Sequence, residues 1–127
     1  MPVAANHTAQ HTDPAQVLTK AVVRAASRLE VTAKALSAIL GLSEASVSRM
    51  KQGDFKLEVG TKPFELGVLF VRLFRSLDAI VGGDEAVARS WLRSANLVLD
   101  GRPLDKISTI AGLTDVIAYL DARRALV

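Results

Sequence analysis

The run Leu36-Ser37-Ala38-Ile39-Leu40-Gly41-Leu42-Ser43-Glu44-Ala45-Ser46-Val47-Ser48-Arg49-Met50 constrains the fold more than any other part of the chain. Leu36 and Leu40 stand one helical turn apart, on a face that must be buried. Gly41 can take the left-handed conformation that stops a first helix, and Ser43 can cap a second. Val47 and Met50, three apart, turn the second helix's apolar side back toward the first. Two short amphipathic helices joined by one tight glycine turn have the layout of a helix-turn-helix. Its outward groups are Ser43, Glu44, Ser46, Ser48, Arg49, Lys51 and Gln52. Short polar groups and cations of this kind reach base edges and phosphates in a DNA major groove. Glu44 runs against that reading by repelling phosphate, unless it accepts from a cytosine amine. Arg49 and Lys51 also have a plainer reading, as a solvated helix face.

At 127 residues the chain holds one domain, or two small ones sharing a core. Half of its residues are apolar but only 5% are aromatic, so the core is aliphatic and alanine-rich, which favours an all-α fold. With no cysteine there is neither a disulfide framework nor a thiolate metal site, as suits a reducing cytoplasm. Net charge is +3, with 7 Lys/Arg against 5 Asp/Glu in residues 1–60 and 9 against 8 in residues 61–127. There is no basic tail, and affinity for nucleic acid must come from local placement of charge. The longest apolar run, Leu66 to Phe70, is too short to cross a bilayer, and the first residues carry no signal-peptide core, so no membrane role is expected.

Residues 1–12 are polar and aperiodic and read as a flexible tail. Asp13-Pro14 starts a helix whose inner face is Val17, Leu18, Ala21, Val22, Ala25 and Leu29. Thr32 caps the next helix, to Leu40, and Glu44 to about Gln52 forms the third, which Gly53-Asp54 closes. Residues 54–61 make an extended or irregular connection, so 13–60 is the helix-turn-helix unit. One long helix then occupies 61–83, from Thr61 or Lys62 to about Val81. Glu65, Arg72 and Ser76, flanked by Arg75, form a narrow polar strip, while Phe64, Leu66, Phe70, Val71, Leu73, Phe74, Leu77 and Ile80 cover most of the rest. A helix so apolar must be central, packed on both halves of the chain or on a second copy; the second alternative makes a homodimer. Residues 84–127 form a small third unit. Asp84 caps a helix with Val87, Trp91 and Leu92 inward, Asp100-Gly101 is a turn, and Pro103-Leu104-Asp105 opens a helical turn. Thr109 caps a last helix striped by Leu113, Val116, Ile117 and Leu120. Gly112, at its start, either permits a close backbone approach or is merely tolerated near a helix end.

At this level of detail the chain resembles the Xre/MbcA/ParS-type antitoxins of bacterial toxin–antitoxin pairs. The likeness rests on Trp91-Leu92, Asn96, Gly101-Arg102-Pro103-Leu104-Asp105, Thr109, Gly112, Val116 and Leu120, and on Leu36, Leu40, Gly41, Ser43, Ser48, Arg49 and Met50. It spans about residues 15–122. Where members often place a glycine after the last helix, this chain runs Asp121-Ala122-Arg123-Arg124-Ala125-Leu126-Val127. The resemblance implies a helix-turn-helix followed by a helical toxin-binding domain. It implies as partner a RES-fold toxin that consumes NAD or transfers its ADP-ribose, with operator DNA as the second partner. The antitoxin would block the toxin's site and repress its own operon. Toxin contacts are then expected from Arg102, Tyr119, Arg123, Arg124 and Leu126, with the last four free to touch the partner. Deletion of residues 121–127 is expected to spare folding and operator binding while cutting protection. Arg123 and Arg124 have a plainer reading as cations answering the helix dipole. The competing function is a stand-alone dimeric helix-turn-helix repressor.

No enzyme is expected, because no nucleophile–base pair is present and the carboxylates are scattered as caps and surface charges. His7 and His11 have the spacing of two metal ligands on a helix, but nothing nearby completes a site, and neither metal nor cofactor is expected.

Overall fold

In the computed structural model, which describes residues 12–126, seven helices account for the regular structure; the His7/His11 pair lies outside the described residues. They are α1 (Pro14–Arg28), α2 (Ala33–Leu40), α3 (Glu44–Lys51), α4 (Lys62–Ile80), α5 (Glu85–Arg93), α6 (Pro103–Lys106) and α7 (Ile110–Arg124). The all-α reading holds, and no strand occurs among the described residues beyond one isolated bridge between Asn96 and Gly101.

Short polar side chains set most of the helix starts. Asp13 accepts from the Ala15 amide at 3.0 Å, Thr32 from Ala35 at 3.1 Å, and Ser43 from Ser46 at 3.1 Å. Thr61 accepts from Phe64 at 3.3 Å, Asp84 from Val87 at 3.2 Å, and Thr109 from Gly112 at 3.0 Å. Each satisfies an amide that the first helical turn leaves unpaired. Between α2 and α3, Gly41 takes the left-handed conformation at φ 69° and the Leu42 amide returns to the Ser37 carbonyl at 3.0 Å, making the tight turn.

The long helix α4 is the shared wall of the molecule. α7 packs along it, and α1, α2 and α5 close its other sides. One hydrophobic cluster runs from Val22 and Leu29 through Leu36, Leu40, Val47, Phe70, Leu73 and Leu77 to Leu113 and Leu120. The apolar excess of α4 is therefore covered within one chain, and that excess no longer requires a second copy. Its polar strip is also used internally. Ser76 is fully buried and donates to Asp121 Oδ1 at 2.9 Å, while Arg72 pairs with the other oxygen of the same carboxylate.

Two inner-face assignments change. Val17 is half-exposed in α1, and Val87 is half-exposed in α5. In α5 the buried positions are Ala88 and Leu92, one turn apart, which rotates Val87 outward. The connection at 54–61 is irregular, pinned where the Leu57 amide donates to the buried Thr19 hydroxyl at 2.9 Å.

α5 is fastened to the carboxyl end of α1. Arg93 donates to the carbonyls of Leu29 at 3.1 Å and Glu30 at 2.8 Å, and Arg89 to that of Arg28 at 3.1 Å. These are the carbonyls a helix end leaves without partners. Arg28 in turn faces Glu85 at 3.5 Å. None of the described helices is long and apolar enough to cross a membrane.

Candidate functional site

The outer surface of α3 carries the expected polar set. Ser43, Glu44, Ser48, Arg49, Lys51 and Gln52 are not buried, while Val47 and Met50 are buried beneath them. Ser43 and Ser46 are engaged locally. Ser43 caps the helix, and its hydroxyl donates to Ser46 Oγ at 3.0 Å. Arg49 donates to the same Ser46 oxygen at 3.2 Å and lies over the Phe55 ring, 5.8 Å from its centroid. A cation held between a hydroxyl and an aromatic face loses less rotamer freedom on binding than a free arginine. Phe55 was not among the expected residues, since it lies in the irregular segment where no periodicity marks it.

The carboxy-terminal set does not form one surface. Arg102 makes a two-pronged pair with Asp105 at 2.9 and 2.9 Å. That hydrogen bond raises the Arg102 pKa and holds the Asp105 carboxyl below its usual range. Tyr119 is only partly exposed: it stacks on Trp91 with centroids 6.1 Å apart and planes 19° off parallel. Arg123 lies over that stack, 5.7 Å from the Tyr119 centroid, and donates to its hydroxyl at 3.1 Å. Arg124 points the other way. It donates to Ser76 at 3.4 Å and helps line a groove of about 460 Å³ with Val17, Val68 and Arg72. Leu126 is exposed beyond the helix end. Of the four residues expected to be free to touch a partner, Arg123, Arg124 and Leu126 are exposed and Tyr119 is partly buried. Tyr119 packs on Trp91 of α5, Arg124 reaches Ser76 at 3.4 Å, and the last turn of α7 is held on α4 chiefly by Asp121, which meets Ser76 and Arg72. A truncation from residue 121 would remove Asp121 and with it that clamp, so a shorter deletion is the cleaner probe of the tail.

The loop from Asn96 to Gly101 carries two residues that sequence reasoning missed. Its ends exchange backbone hydrogen bonds at 3.0 and 3.2 Å, and the Asn96 side chain accepts from the Leu99 amide at 3.1 Å. Leu99 is buried, so the pinned loop turns Leu97 and Val98 into solvent. Two adjacent exposed aliphatics on a fixed loop are unusual on a surface with no partner to cover them. The signal in the sequence was Leu97-Val98 just before the Asp100-Gly101 turn.

The geometry thus places a polar, partly basic helix of a helix-turn-helix in one half, and in the other a cation on an aromatic stack and a loop with two exposed aliphatics. Comparison with known families agrees with that division. The model of the antitoxin Xre-like helix-turn-helix domain matches residues 9–72. The model of the antitoxin Xre/MbcA/ParS C-terminal toxin-binding domain matches residues 76–125. No curated protein matches the chain. With the two matches side by side along a helix-turn-helix and the helical unit packed on it, the chain belongs to the Xre/MbcA/ParS-type antitoxins.

Proposed function

We propose that this antitoxin neutralises a cognate RES-type toxin in the cytoplasm by covering its NAD site, and represses its own operon through α3. The observation that carries the first half is Arg123. It is set on the Trp91–Tyr119 stack, and no carboxylate of the described residues pairs with it. A guanidinium so presented suits a toxin carboxylate or the anionic groups of a nucleotide pocket. Leu97, Val98 and Leu126 are exposed and would add apolar contact where a partner covers them. Arg102 and Arg124 contribute to the partner surface only if they give up Asp105 and Ser76. Blockage, rather than modification of the toxin, is the economical mechanism for a surface made of one cation, one aromatic stack and exposed aliphatics.

The test is a truncation that respects the α7 clamp. Deleting residues 123–127 leaves Asp121 in place, so the variant is expected to fold and to bind its operator, yet to lose most of its protection against the toxin. Arg123→Ala alone should cost about 2 kcal/mol or more of toxin affinity, roughly thirtyfold, as truncation of an interface anchor does. Cell growth and NAD level during toxin expression read the outcome. Full protection by the truncated chain would move the plug to the loop at Leu97 and Val98 or to the segment from Gly101 to Gly112.

For the second half, Arg49→Ala is expected to cost about 1–3 kcal/mol on the operator if Arg49 reads a guanine edge. Ser46 and Phe55 would hold it ready for that contact. A mobility-shift assay on the duplex upstream of its own reading frame measures this. Absence of any shift by the intact chain, alone or with toxin, would remove the repressor role. A homodimer, which a two-fold operator would suit, would pair through the side of α4 that carries the exposed Val68. A monomer in equilibrium sedimentation at tens of micromolar would rule that assembly out.

A further inference from the structure

Beside the helix-turn-helix lies a groove of about 650 Å³ between α1 and the end of α3. Five cations line it: Lys20, Arg24 and Arg28 from α1, Lys51 from α3, and Lys56 from the segment that follows. No carboxylate of the described residues lines it. Lys56 is occupied by Asp13 at 2.8 Å, and Arg28 faces Glu85 at 3.5 Å. Lys20, Arg24 and Lys51 have no acidic partner among the described residues. We infer that this groove is a second DNA contact, which takes the phosphodiester backbone of the duplex flanking the bases under α3.

Three observations support the assignment. The first is spacing. Lys20, Arg24 and Arg28 recur every fourth residue on an exposed face, each step rising about 6 Å along the helix, so α1 presents a line of charge rather than a point. Like charges four apart destabilise a helix slightly. Arg28 and Lys51 are accounted for as cations at the carbonyl ends of α1 and α3. Lys20 sits in the middle of α1, where no helix end explains it. The second is continuity. Lys51 and Gln52 belong both to the polar surface of α3 and to the groove, and Phe55 forms part of its wall while its ring carries Arg49. A backbone in the groove is thus contiguous with a base-reading contact at Arg49. The third is the charge economy of the whole chain. With a net charge of only +3, phosphate affinity has to come from a local concentration of cations, and this groove is such a concentration.

The proposal rests on α3 binding DNA, and the experiment separates the two claims. Binding of the full chain is measured by fluorescence anisotropy on the duplex upstream of its reading frame and on a scrambled duplex of equal length, across a range of salt. Lys20→Gln/Arg24→Gln is expected to weaken both duplexes by the same factor, about tenfold at moderate salt. It should also flatten the dependence of log affinity on log salt by nearly two, since each phosphate that is no longer neutralised removes about 0.9 from the slope. Lys20→Arg/Arg24→Lys keeps the charges and should keep the slope, which distinguishes the removal of charge from a defect in folding. Arg49→Ala should weaken only the upstream duplex. An intact chain that binds both duplexes, with a doubly substituted chain of unchanged slope, overturns the groove and leaves the reading of α3 standing. An intact chain that binds neither duplex overturns both, while leaving toxin neutralisation untouched.

Discussion

Gly112→Ala is expected to destabilise the chain by about 3 kcal/mol or more, at the upper end of what overpacking costs. A Cβ at this position would overlap the carbonyl oxygen of Lys106 and lie 2.7 Å from its carbonyl carbon and 3.0 Å from the Thr109 hydroxyl. The obstacle is backbone, so no rotamer change relieves it. Either α6 moves away from the first turn of α7, which strips cover from the buried Pro103 and Ile107, or α7 starts later and loses the Thr109 cap. Glycine there otherwise costs a helix only about 0.5–1 kcal/mol against alanine, so the close approach decides the residue. Thermal unfolding followed by circular dichroism should show a drop on the order of 10 °C. Gly67→Ala is the instructive contrast, because its nearest neighbours are the side-chain tips of Leu57 at 3.0 Å and Val22 at 3.2 Å, which can shift. An unchanged melting temperature for Gly112→Ala would mean that α6 is not held against α7 at all.

The other large effect is expected at Phe70→Asp, which should prevent folding. Phe70 has no exposure and sits where α4 meets the rest of the core. A carboxylate there would be buried without a partner, at several kcal/mol in addition to the lost ring. A total stability of about 5–15 kcal/mol leaves little after such a loss. Phe74, one turn along the same helix, is only partly buried. Phe74→Asp lets the carboxylate reach water and should cost no more than about 2 kcal/mol. Far-UV circular dichroism and soluble yield of the two variants check this, and equal behaviour would show that α4 is not seated as described.

Much of this was legible in the residues because it depends on local chemistry. Asp13, Thr32, Ser43, Asp84 and Thr109 cap the helices they announce, since a cap is decided within four residues. Gly41 and the apolar pairs Leu36/Leu40 and Val47/Met50 were readable for the same reason. What escaped lies across the fold. Ser76 looked like part of a wet strip, but its partners Asp121 and Arg124 come from a helix more than forty residues away. Nothing in the sequence singles out Arg89 and Arg93, because their acceptors are carbonyls at the end of α1, which carry no sequence signal. At the proposed sites, Arg49 was visible on its helix, while Phe55, which supports it, and the α1 face of the basic groove needed the tertiary fold to be seen.

The shared wall formed by α4 has a consequence for how such a protein disappears. The two halves share one core: α4, which carries the buried Phe70, Leu73 and Leu77, is packed by α1 and α2 and by α7. A protease that removes either end leaves the other with a bare hydrophobic ridge and with the Arg93 fastening undone. Loss is therefore all-or-none in physical terms. A nicked chain is expected to lose the proposed operator contact and the proposed toxin cover together, so the abundance of intact chain would set both at once.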